Sequence, residues 1–169
     1  MTAQSETRLK PQHASGTVDA SIPQRIAPAP KCLDLIAEVH TRVLDSIAGF
    51  EKVVEKAQPD FQPIAKAFLA MHLRHETELA NALITSNRDP SADGSVFGTV
   101  NRAAVEIKSW FEDVTDKIMD QVKFAELHIL DAYNDAQSAS QSTEIQSLIT
   151  AHIKDIDALM SKHIVSAKG

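Results

Sequence analysis

Apolar residues recur at alternating steps of three and four along four long stretches of this chain. Only helices that bury one face use that spacing. Leu33, Ile36, His40, Val43, Ile47, Phe50 and Val54 form the first stripe, and Phe61, Ile64, Phe68, His72, His75, Leu79 and Leu83 form the second. Ile118, Val122, Ala125, Ile129, Tyr133 and Ala136 form the third, and Ile145, Ile149, His152, Ile156, Leu159 and His163 the fourth.

The breaks between stripes carry turn chemistry. Pro59 separates the first pair, Asn87, Pro90 and Gly94 close the second stripe, and the polar run Gln137–Thr143 separates the last pair. The predicted helices are 32–57, 61–86, 114–138 and 143–165, with Ser142 as N-cap of the last and Glu144 in its first turn. At about 1.5 Å per residue, each spans roughly 33–39 Å. Short connections make the first two antiparallel neighbours, and likewise the last two. The long middle connection carries its own helical pattern, Val100, Ala104, Ile107 and Phe111 over 95–111. A helix there returns the chain along the bundle and makes the third helix parallel to the second. The expected fold is all-α, a ferritin-like four-helix bundle running up-down-down-up, with a short extra helix in the crossover. One unbroken helix over 100–122 would give a different topology.

Residues 1–31 hold Pro11, Pro23, Pro28 and Pro30 among small and polar residues and show no helical spacing. Too little apolar area exists there to offset ordering entropy, so a disordered tail is expected, with the bundle over 32–166. Aromatics are 5% of the chain, which makes the core aliphatic. The formal charge of −6 argues against a nucleic-acid partner and against an anionic membrane surface. No apolar run reaches the roughly 18 residues of a membrane span, and the N-terminus lacks a secretory h-region. Cys32 stands alone, which excludes an internal disulfide. The expectation is a cytoplasmic protein that can form homo-oligomers.

Three pieces resemble a bacterial family of ferritin-like four-helix-bundle proteins defined as a domain of unknown function. They are LDLIAEVHTRVLDSIAGFEKVVEKA, GSVFGTVNRA and ILDAYNDAQ, in that order, and the resemblance covers about residues 32–160. It implies the fold and supplies no activity. Glu51 and Glu126 match positions where the family commonly carries acids; the inward histidines fall where its members are not expected to have them.

Those histidines are where chemistry would be. Di-iron bundles take a carboxylate from two helices and an acid-x-x-His pair from each of the other two, all inward at one depth. His72 and His75 lie roughly three to four turns below the end shared by the first two helices, as do Glu126, His152 and Asp155 from the matching end. His40 lies about a turn deeper. The set His40, His72-x-x-His75, Glu126 and His152-x-x-Asp155 has the layout of a dinuclear site but too few carboxylates to bridge two ferric ions. Imidazole-rich donors suit one Fe or Zn ion, with Ni²⁺ and Cu²⁺ also within range. A haemerythrin-like alternative, His72-xxx-Glu76 with His152-xxxx-Asp157, lacks its third helix's pair, since Ala132 follows His128 at four residues.

The competing expectation is a metal-free polar network inside a structural, oligomerising or interaction scaffold, with a stress-linked role among its uses. Each neutral ring then needs a buried partner. Glu51 is expected to be a solvated acid repelled by Glu55, and Met71, Met119 and Met160 to be gap-filling core. No nucleophile–base set, phosphate loop or H-E-x-x-H motif is present, so any enzyme activity would be metal-borne.

Overall fold

A computed structural model describes residues 30–91, 116–139 and 142–163. The crossover helix expected over 95–111, and all of the expected tail before Pro30, lie outside the described residues. Four helices and no strand are present among those described. They are α1 (Pro30–Lys56), α2 (Gln62–Thr85), α3 (Asp116–Ala139) and α4 (Thr143–His163). Both α1 and α4 pack against α2 and α3, which closes the helices into a four-membered ring, the arrangement of a four-helix bundle. No helix among the described residues is long and apolar enough to cross a membrane.

Paired residues set the register. Phe50 stacks on Phe68 with ring centroids 5.4 Å apart, and Gln62 Nε2 donates to the Val54 carbonyl at 3.1 Å. Numbers that rise along α1 therefore meet numbers that fall along α2. The same opposition links α2 to α4, where His75 meets Asp155 and Glu78 meets His152. It also links α3 to α4, where Tyr133 meets His152 and Gln137 Nε2 donates to Thr150 Oγ1 at 2.9 Å.

The helix ends follow local chemistry. Asn87 adopts φ 58°, the left-handed conformation that Asn tolerates better than most residues. Its N–H then reaches the Ile84 carbonyl at 2.9 Å, and that of Arg88 reaches Leu83 at 2.9 Å, closing α2 with a Schellman motif. Ser142 Oγ accepts the Ile145 N–H at 3.2 Å, the side-chain N-cap expected for α4.

The core is aliphatic, with Ile36, Val39, Leu79, Leu83, Ile149 and Ile156 fully buried alongside Phe68 and Tyr133. Val54, Phe61, Ile64, Ile118 and Leu159, expected inward, lie near helix ends and are partly buried against it. Cys32 is fully buried, although the sequence places it at the edge of a tail. Helix α1 starts two residues earlier than expected, at Pro30, whose missing N–H costs nothing in a first turn. That puts Cys32 one turn ahead of Ile36 on the inward face. Met71 is buried and Met160 packs on the core, as gap-fillers do, and Glu51 is exposed.

Candidate functional site

Inward spacing along α2 delivers His72, His75 and Leu79 to the middle of the core; neither histidine exposes any surface. Helix α3 brings Glu126 and Tyr133, both 0% exposed, and α4 brings His152 at 1%. Three helices thus place imidazoles, a carboxylate and a phenol inside a mostly aliphatic core.

Glu126 Oε1 lies 3.0 Å from His72 Nε2, and both side chains are sealed from solvent. Glu126 Oε2 and His72 Nδ1 have no hydrogen-bond partner. An ionised carboxylate removed from water costs several kcal/mol unless a positive charge accompanies it. One of the two buried oxygens is thus left without the hydrogen bond that a buried polar atom requires.

The His75 and His152 rings stack with centroids 3.8 Å apart and planes 9° from parallel. Both turn Nδ1 toward one oxygen: Tyr133 Oη is 3.0 Å from His152 Nδ1 and 3.4 Å from His75 Nδ1. Both turn Nε2 toward half-exposed carboxylates, His152 to Glu78 at 2.7 Å and His75 to Asp155 at 3.4 Å. Arg74 holds the same oxygen of Asp155 from the solvent side. Burial, with the neighbouring His152, lowers the His75 pKa to about 3 against the pull of Asp155. Burial also lowers that of His152, against Glu78. Tyr133 is pushed upward by burial and by the carboxylates of Glu126, Glu78 and Asp155. The stacked pair is therefore neutral at pH 7.

Of the six residues expected to form a site, His72, His75, Glu126, His152 and Asp155 belong to one connected cluster. His40 is buried but turned to the α1–α2 seam, where Nε2 meets Glu76 at 3.4 Å and Nδ1 has no partner. That contact draws Glu76 away from His72, and Asp157 is exposed, so the haemerythrin-like spacing does not gather. Sequence reasoning missed Glu78 and left Tyr133 as plain core. The available signal for Glu78 was its i,i+3 relation to His75, which puts an acid on the same flank of α2.

Among the described residues, no three or more His, Cys, Asp or Glu side chains stand in an arrangement that could hold a metal ion. The stacked rings also turn their Nδ1 atoms to one phenol and their Nε2 atoms to two different carboxylates instead of converging on one point. A dinuclear centre does not fit: one buried carboxylate cannot bridge and neutralise two ions, and α1 contributes none. Glu126 and His72 are donor types that a single divalent ion takes, and the second oxygen of Glu126 has no partner.

Residues 31–139 match the family model Domain of unknown function (DUF2383). The chain belongs to this family. Within this DUF2383 protein the match runs from the start of α1 to the end of α3, so Glu126 and Tyr133 lie inside it. Helix α4, with His152 and Asp155, lies beyond. No curated protein and no solved structure matches the chain.

Proposed function

We propose that this DUF2383 protein is a ferritin-like bundle that binds one divalent transition-metal ion, Zn²⁺ or Fe²⁺, at mid-bundle. Three antiparallel pairs support the topology: α2 runs against both α1 and α4, and α4 runs against α3, which corresponds to up-down-down-up. Glu126, His72 and His75 would hold the ion, with His152, Asp155 and Tyr133 behind them. The ion would give the partnerless oxygen of Glu126 a ligand. The carrying observation is that carboxylate, fully buried, with one oxygen on His72 and the other without a partner. Loading requires the imidazole–carboxylate pairs to open, a rotation available to Asp155 because its side chain is 44% exposed.

Elemental analysis of the purified full chain, followed by titration with Zn²⁺ and Co²⁺, tests this. About one equivalent of metal is expected, and the H72A/H75A double variant should lose it. Protein that purifies metal-free and takes up neither ion would end the proposal.

A second reading, a metal-free scaffold, is favoured by a different observation. All four core imidazoles already place Nε2 on a carboxylate: His40 on Glu76, His72 on Glu126, His75 on Asp155 and His152 on Glu78. In that case His72 itself carries the extra proton, and the outer helix faces do the work.

A further inference from the structure

We infer that Tyr133 is a positioning residue that sets opposite tautomers on His75 and His152, leaving His75 with an open Nε2 lone pair. The consequence for metal binding rests on the proposal above; the tautomers do not.

The inference comes from counting protons. A phenol has one proton to donate and two lone pairs that accept. Glu78 can only accept, and its Oε2 lies 2.7 Å from His152 Nε2, so that nitrogen carries the proton of the neutral ring. His152 Nδ1 is then a lone pair, and Tyr133 O–H donates to it at 3.0 Å. The phenol's single proton is now used.

His75 Nδ1 faces the same oxygen at 3.4 Å and can make a hydrogen bond there only as the donor. Placing its proton on Nδ1 leaves Nε2 as a lone pair facing Asp155. Placing it on Nε2 instead sets two lone pairs against each other beside a phenol that is fully buried and cannot be solvated. The first misfit is the smaller. Asp155 is half-exposed, already engages Arg74 through Oδ2, and sits 3.4 Å from Nε2, at the outer limit of a hydrogen bond. His75 therefore holds its proton on Nδ1. That is the tautomer in which an imidazole donates through Nε2 to a cation while its other nitrogen is anchored.

The stacking makes this division necessary. Rings 3.8 Å apart bring both Nδ1 atoms to one hydroxyl, and Tyr133 stands edge-on to each, at 89° to His152 and 81° to His75. Two rings protonated on Nε2 cannot both be satisfied there, because the phenol has one proton to give, and two protonated on Nδ1 would set the His152 Nε2 lone pair against Glu78.

Long-range ¹H–¹⁵N correlation on the full chain with labelled histidine, at pH 7.5 in chelator, reads the tautomers directly. His75→Gln and His152→Gln spectra assign the signals. The wild type should show His75 protonated on Nδ1 and His152 on Nε2, and Tyr133→Phe should move the His75 proton to Nε2. Finding both rings protonated on Nε2 in the wild type overturns the inference, whether or not Tyr133→Phe folds. An unchanged His75 in a folded Tyr133→Phe protein overturns it equally. Where the wild type binds Zn²⁺, Tyr133→Phe should weaken binding on the order of 10- to 100-fold. Equal affinity would refute the positioning role. A wild type that binds no Zn²⁺ yet shows the two tautomers would refute the metal proposal and leave this one intact.

Discussion

Glu126 and its neighbours carry opposite expectations for substitution and for pH. In metal-free protein, Glu126→Gln keeps a hydrogen-bonding shape beside His72 while removing a buried charge. If a metal ion is the natural counter-charge, this substitution should raise the melting temperature of chelator-treated protein and abolish metal uptake. Were the carboxylate instead paired with an imidazolium, the same change would lower stability by about 3–5 kcal/mol, since it strands a buried charge. Urea unfolding in chelator separates the two. The pH response follows from His75, whose pKa of about 3 in the fold lies below its ordinary 6.5. Between those values the unfolded chain binds the proton first, so stability is complete above about pH 6.5 and is lost as pH falls. His152 shifts the same way. Asp45 opposes them: burial raises it from 3.8 to about 6 despite Arg42, so it adds stability at low pH that disappears as pH rises through 6. With His163, which burial and then Lys162 also lower, three imidazoles against one acid should leave a net loss of stability as pH falls from 7 to 5. His75→Gln should flatten that slope in unfolding curves, and Asp45→Asn should steepen it while stabilising the protein at pH 7.

At the scale of the helices, the legible features were those encoded in neighbouring residues. Ser142 precedes a helical stripe, and the bond from Ile145 N–H to its hydroxyl is the cap such a residue makes. Ser142→Ala should cost about 1 kcal/mol, and a urea midpoint shifted with an unchanged slope would register it. Stripe spacing likewise placed His72, His75 and His152 inward, because burial follows from position along a periodic face; Glu126, singled out by its depth, is buried beside Ala125, the residue the stripe had placed inward. Spacing along one helix does not say which side chain across the core a ring will meet. His40 lies on the inward stripe of α1 as the others lie on theirs, yet Glu76 draws it to the α1–α2 seam. Glu78 gave no inward signal, because its backbone position is on the flank; its side chain reaches His152 only because α4 packs there. Cys32 was misjudged since prolines before it look like a tail, while a helix can begin at one of them.

For the whole molecule, the cluster matters through the helices it joins. His72 and His75 come from α2, Glu126 and Tyr133 from α3, and His152 from α4, while α1 reaches the cluster by ring packing of Phe50 on His72 at 5.5 Å. A ligand that binds this assembled set and not the unfolded chain adds RT ln(1 + [L]/Kd), about 2.7 kcal/mol at a hundredfold excess over Kd. For a chain of this size each kcal/mol moves the melting temperature by roughly 2–4 °C. Saturating Zn²⁺ should therefore raise it by about 5–10 °C, with the shift growing logarithmically with free ion. Added hydrogen-exchange protection should concentrate in the middle of α2, α3 and α4, and the increase along α1 should be smaller because no donor there contacts the ion. Surface binding by the protein's acidic residues predicts something else: a shift that survives H72A/H75A, weakens with salt and protects no particular helix. A salt-resistant shift that vanishes in the double variant assigns the stabilisation to the buried donors.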